Sequence, residues 1–169
     1  MNTQFIYKEL ARNQLVFSDL LSGVVKEQFH WKSAPDKWCL LEIVCHLYDE
    51  EREDFRARLK HVLETPDEPL PSIDPVAWVK DRKYLQQDYE DRLKSFLEER
   101  TQSVAWLKSL DNPAWYNAYR HPKFGAMTGK MFLANWLAHD YLHIRQITRL
   151  KFEYLKQISV ETLGYAGTW

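Results

Sequence analysis

Apolar residues recur at helical spacing in four long stretches of this chain, and no stretch alternates apolar and polar residues as a strand would. Phe5, Ile6, Leu10, Val16, Phe17, Leu20, Leu21, Val24 and Val25 predict a first helix over residues 3–29. A break at 30–36 contains Pro35, which a helix interior does not accept. A second helix is expected over 39–63, with Leu40, Ile43, Val44, Leu47, Phe55, Leu59 and Val62 inward. The run Asp49, Glu50, Glu51, Arg52, Glu53 and Asp54 then crowds its other face. Residues 64–75 hold Pro66, Pro69, Pro71 and Pro75 with no base, an extended connection long enough to cross an end of a bundle.

A third helix is expected over 76–110, with a kink or a late start near Tyr84, and Pro113 lies just beyond its end. After an irregular connection at 114–127, where Gly125 favours a turn, Thr128 is placed to cap a fourth helix running to about residue 154. The tail, 155–169, ends in an apolar stretch suited to folding back. These elements give one all-α domain over 1–169, a four-helix bundle with at least one crossover connection.

Composition excludes several classes of function. The 23 Lys+Arg stand against 24 Asp+Glu with no separate basic block, so nucleic acid is not an expected partner. No uncharged apolar run is long enough to span a bilayer. Lys8, Glu9, Arg12 and Asp19 punctuate the N-terminal apolar pattern, which makes it an amphipathic helix rather than a signal peptide; the cytoplasm is the expected location. Cys39 and Cys45 point about 120° apart on one helix and cannot readily pair, so both are expected as buried, inert thiols.

His139 and His143 lie on one face of the fourth helix, one turn apart, so two imidazoles can reach one ion. They belong to the inward stripe beside Trp136, Ile147 and Leu150, where unpaired imidazoles would be costly. His46 also borders an inward stripe, on the second helix, and facing helices that each supply donors are a usual way to build a metal site in a bundle. Two residues keep two readings each. Glu50, one turn beyond His46, is either a catalytic base or carboxylate support for a ligand, or a solvated acid in a charged run. Gln146 either fixes a ligand or completes a polar network. Glu51 lies about 140° around the helix from His46, which suits a structural pairing with Arg100 or Arg145. His30, His61 and His121 fall at helix ends or in loops and are expected to be exposed.

Three separated stretches carry a family resemblance: 37–52, with Trp38, Glu42, His46 and the acids that follow; 121–128; and 135–147, with His139 and His143. In order and spacing they resemble the DinB/YfiT-like metalloenzymes over roughly residues 5–153. The resemblance implies a four-helix bundle with one divalent ion held by His46, His139 and His143, and water in the open positions. Cys39 departs from the hydroxyl residue common there, which alters the helix cap and leaves the ligands untouched. An all-nitrogen set favours zinc or nickel over magnesium or calcium. Structural zinc sites usually have four protein ligands, so three point to catalysis. The expected function is therefore a metal-dependent hydrolase or thiol transferase of small molecules, activating water or a low-molecular-weight thiol. The alternative is a non-catalytic metal-binding or structural bundle acting as a homodimer through its first and third helices.

Overall fold

The computed structural model describes residues 2–167. Helix α1, Thr3–Leu21, opens with the Asn2 side chain accepting the Phe5 amide at 3.1 Å. It ends eight residues before the expected boundary, because Gly23 takes φ +68° and turns the chain out of the helix. The apolar pattern resumes in a single turn, α2, Lys26–Phe29.

The second long rod comprises α3, Leu40–Asp49, a π-helical segment Glu50–Arg56, and α4, Ala57–Glu64. The Glu42 carboxylate accepts the Cys39 amide at 2.9 Å, so the cap holds despite the missing hydroxyl. The expected solvated face is corrected here: Asp49, Glu50 and Glu51 are all buried. Buried carboxylates persist where partners are supplied, and Asp49 accepts hydrogen bonds from Arg52 and Tyr84.

The proline-rich connection runs back along this rod, with Arg58 donating to the Pro71 carbonyl and Arg82 bridging Asp49 and Glu53. It contains α5, Pro75–Asp81, and a short 3₁₀ turn, Tyr84–Gln86. Lys83 at φ +51° breaks the expected third helix, so α6 begins late, at Tyr89–Ser109, capped by Asp88. The irregular connection contains a two-stranded antiparallel hairpin, β1, Ala118–His121, and β2, Gly125–Thr128, turning at Gly125. Four-residue strands are too short to show alternation. Thr128 caps α7, Gly129–Ile158, by accepting the Met131 amide at 3.1 Å. The tail does not fold back among the described residues: Val160 and Tyr165 are fully exposed, while Thr168 and Trp169 lie outside them.

Cross-helix partners fix the directions. Asn13 meets Asp140 and Leu20 meets Lys151, so α1 and α7 are parallel. Leu10 meets Arg100 and Leu21 meets Tyr89, so α1 and α6 are antiparallel. Glu51 meets Trp136, and His46 meets His139, so the α3–α4 rod opposes α7. Glu51 meets Arg100 and Arg56 meets Ser103, so the rod and α6 share a direction. The order is up, down, down, up, which requires the crossover that the prolines supply.

The core divides into two apolar clusters, one around Phe17, Leu41, Phe96 and Ile147, the other around Leu10, Leu59, Leu107 and Trp136. Along every long helix the change from one cluster to the other falls at buried polar residues: Asn13, His46 with Glu50 and Glu51, Arg100 with Ser103, and Asp140 with His143. This mid-height polar layer contains the candidate site. Among the described residues, no helix is long and apolar enough to cross a membrane.

Candidate metal centre

His46 projects from α3, whose residues Leu40–Leu47 are all buried, while His139 and His143 project from one face of α7. The structure brings the three together. His46 Nε2 lies 3.3 Å from His139 Nε2, which lies 3.0 Å from His143 Nε2. Their possible ligand atoms all fall within 4.8 Å of one another. Burial is the main reason the His46 imidazole is pushed down to about 3 and His139 to about 2; the neighbouring rings add to this, and Arg100 adds to it at His139. Burial also lowers His143, with Gln146 and Asp140 acting against it. All three rings are therefore neutral at neutral pH, each with one nitrogen lone pair.

The donors fit a divalent transition ion. A single proton on His139 Nε2 cannot satisfy both of its close neighbours, so lone pairs confront one another in the bare cluster. Tetrahedral ligands at zinc–nitrogen distances of about 2.0–2.1 Å sit about 3.3 Å apart, close to the spacings found. His46 Nδ1, His143 Nδ1 and Glu50 Oε1 are buried without hydrogen-bond partners. Glu50 Oε1 lies 3.9 Å from His46 Nδ1, facing the nitrogen that ligation through Nε2 would leave protonated. Burial pushes the Glu50 carboxyl up to about 8, and the neighbouring Asp54 acts in the same direction.

Beside the histidines sits an ion network. Arg100, 1% exposed, donates two hydrogen bonds to Glu51 and two to Asp140. Asp140 also accepts from Asn13, and Glu51 from Trp136. Helix rotation pointed Glu51 to a structural pairing with Arg100 or Arg145, and the partner is Arg100; Asp140 and Asn13 were missed. Asp140 could have been found, since it lies four residues after Trp136 on the same inward stripe. Phe55 and Trp38 wall the cluster, their ring centroids 4.9 Å from His139 and 4.8 Å from His46 respectively.

Other expected residues fall elsewhere. Burial pushes the Cys39 thiol up to about 11 and Cys45 up to about 12, consistent with inert thiols. His30, His61 and His121 are half-buried rather than exposed, because each makes local hydrogen bonds with backbone groups at a turn or helix end. The cluster is not sealed. His143 lines a cavity of about 570 Å³ on the outer side of α7, together with Leu142, Arg145, Gln146 and Arg149.

A bundle in this up-down-down-up order, with three imidazoles converging at mid-height beside a cavity, defines a distinct class of helical protein. The DinB superfamily model matches residues 9–147, and the chain belongs to that superfamily. Among solved structures, it is similar to YfiT from Bacillus subtilis, described as a probable metal-dependent hydrolase with an unusual four-helix bundle topology. That match has 19% sequence identity and a TM-score of 0.79, and it covers 90% of this chain and 87% of YfiT. No curated protein matches the sequence.

Proposed function

We propose that this protein is a metal-dependent enzyme of small molecules, a hydrolase in the first instance, with one divalent transition ion held by His46, His139 and His143. The observation that carries the proposal is the convergence of three neutral imidazoles, two contacts at 3.0 and 3.3 Å, one of which, His143, lines a cavity. An ion bound there supplies Lewis acidity, lowering the pKa of water or of a small thiol and polarising a substrate carbonyl. The chain's own residues hold and orient. The histidines present lone pairs without first losing protons, and Glu50 positions the His46 ring through its Nδ1 side. Trp38 and Phe55 keep water from the buried side of the cluster. The cavity beside His143 favours catalysis over a purely structural ion, and the description of YfiT favours hydrolysis.

The test starts with protein purified without an affinity tag. Metal analysis is expected to find one zinc or nickel per chain. Turnover of ester and amide substrates, and of an electrophile with a small thiol, should vanish on chelation and return with that metal. Undiminished turnover in metal-free protein would overturn the proposal.

A further inference from the structure

Two cavities flank the C-terminal half of α7, and they share Gln146 and Arg149. The first, described above, reaches the cluster through His143. The second, about 390 Å³, lies between α7 and the loop before α3, and is separated from the cluster by Trp38, whose ring packs on His46. Leu150 and Trp38 give it apolar walls, and Lys37 and Glu153 stand on its rim. Across both cavities the charged residues are Lys37, Arg145, Arg149 and Glu153, three bases against one acid.

Arg52, Arg56, Arg58, Arg82 and Arg100 are each held by a carboxylate. Arg145 and Arg149, among the described residues, make no ion pair or hydrogen bond. Arg92 and Arg120 also lack a carboxylate partner among the described residues, so what sets Arg145 and Arg149 apart is their place at the cavity beside His143. Lys37 pairs only with Asp36, both mostly in solvent, where such a pair is weak. A guanidinium free of partners at a cavity edge is a ready receptor for a carboxylate or phosphate, which it can grip with two parallel hydrogen bonds. Arg149 stands six residues beyond His143, about 9 Å along the helix axis and about 120° around it, so a ligand touching both passes over Gln146.

We infer that the two cavities, side by side across Gln146 and Arg149, take an elongated organic anion, its reacting group at His143, its oxyanion on Arg149 and its apolar part against Trp38 and Leu150. This inference rests on the proposed metal site and adds the substrate class to it. Small anions attracted only by the ion would not need Arg149; an elongated one would.

Calorimetric titration separates the two. Adipate, its neutral diamide adipamide, acetate and inorganic phosphate would each be titrated into the metal-loaded and metal-free forms of the native protein, Arg149→Gln and Arg12→Gln. Arg149 and Arg12 are both exposed, so both variants should keep the fold, as circular dichroism would verify. In loaded protein, adipate should bind more tightly than acetate or adipamide, and Arg149→Gln should weaken adipate about tenfold or more while leaving acetate unchanged. In metal-free protein, the weaker binding of phosphate should disappear in Arg149→Gln and persist in Arg12→Gln. Equal adipate binding by the native protein and Arg149→Gln, or adipamide binding as tightly as adipate, would overturn the inference. If the protein retains no metal, the metal reading fails, and the phosphate titration decides the anion site by itself: loss only in Arg149→Gln supports it, and no difference overturns it.

Discussion

Arg100 keeps its charge at the centre of the bundle because two carboxylates meet it there, Glu51 through Nε and Nη2 and Asp140 through Nη1 and Nη2. Removing one member strands the others without solvent, which in buried pairs costs about 3–5 kcal/mol. Arg100→Leu should therefore lower the unfolding free energy by about that amount, measured by urea denaturation; a loss below about 1 kcal/mol would mean that water reaches the triad. The histidines should behave oppositely. The apolar stripes carry the folding, so replacing His139 and His143 together by Ala should abolish stoichiometric metal while leaving the helical circular dichroism largely intact. Outright unfolding would make the cluster structural. Glu50 has a narrower test. With its carboxyl pushed up to about 8 it is mostly protonated at neutral pH in the metal-free protein, so Glu50→Gln is close to isosteric and should leave metal-free stability unchanged. If Glu50 orients His46, metal affinity should still fall about tenfold. Unaltered affinity would remove Glu50 from the site.

At the level of elements, the long helices were legible because their stripes persist over many turns, and Thr128 was legible as a cap because a hydroxyl stands just before the fourth stripe. Two of the three histidines depend on the helix that this cap begins. Thr128→Ala should lower stability by about 1 kcal/mol, the usual effect of losing such a cap, with metal content unchanged. An equal loss of metal would show that α7 shifts when its first turn frays. Other features escaped because their signals are local or lie in the partner element. Gly23 ended α1 through a positive φ, although the apolar pattern continued past it. The π-helical segment Glu50–Arg56 has no sequence signature of its own, and the acids from Asp49 to Glu51 read as a solvated face until Tyr84 and Arg100 on neighbouring elements were in place. The three histidines were legible from spacing and resemblance together; Asp140, on the same inward stripe, was overlooked beside them.

For the molecule as a whole, the polar layer means that folding buries titratable groups between two apolar clusters, which makes stability depend on pH in a calculable direction. In the unfolded chain the imidazoles titrate near pH ~6.5. In the folded, metal-free protein burial holds His46 near 3 and His139 near 2, and lowers His143 as well. Below pH ~6.5 the unfolded chain therefore takes up protons that the folded chain refuses, and stability falls on acidification, by at most about 1.4 kcal/mol per pH unit for each group. Glu50 works the other way. Raised to about 8, it keeps a proton in the folded state that the unfolded chain releases above about 4.3, so its contribution grows as pH falls from about 8. Asp54, also raised by burial, has the same sign. The large shifts of His46 and His139 outweigh that of Glu50, so stability falls from pH ~6.5 to ~4.5, with the carboxyls offsetting part of the loss. As pH falls through about 4 the carboxyls become protonated in the unfolded state as well, their offset ends and the decline steepens. Urea unfolding of metal-free protein across this range should show that bend. In the variant lacking His139 and His143, His46 alone remains against Glu50, and the loss between pH ~6.5 and ~4.5 should flatten. The same slope in both proteins would mean that the cluster is open to water and that its histidines are not held neutral by the fold.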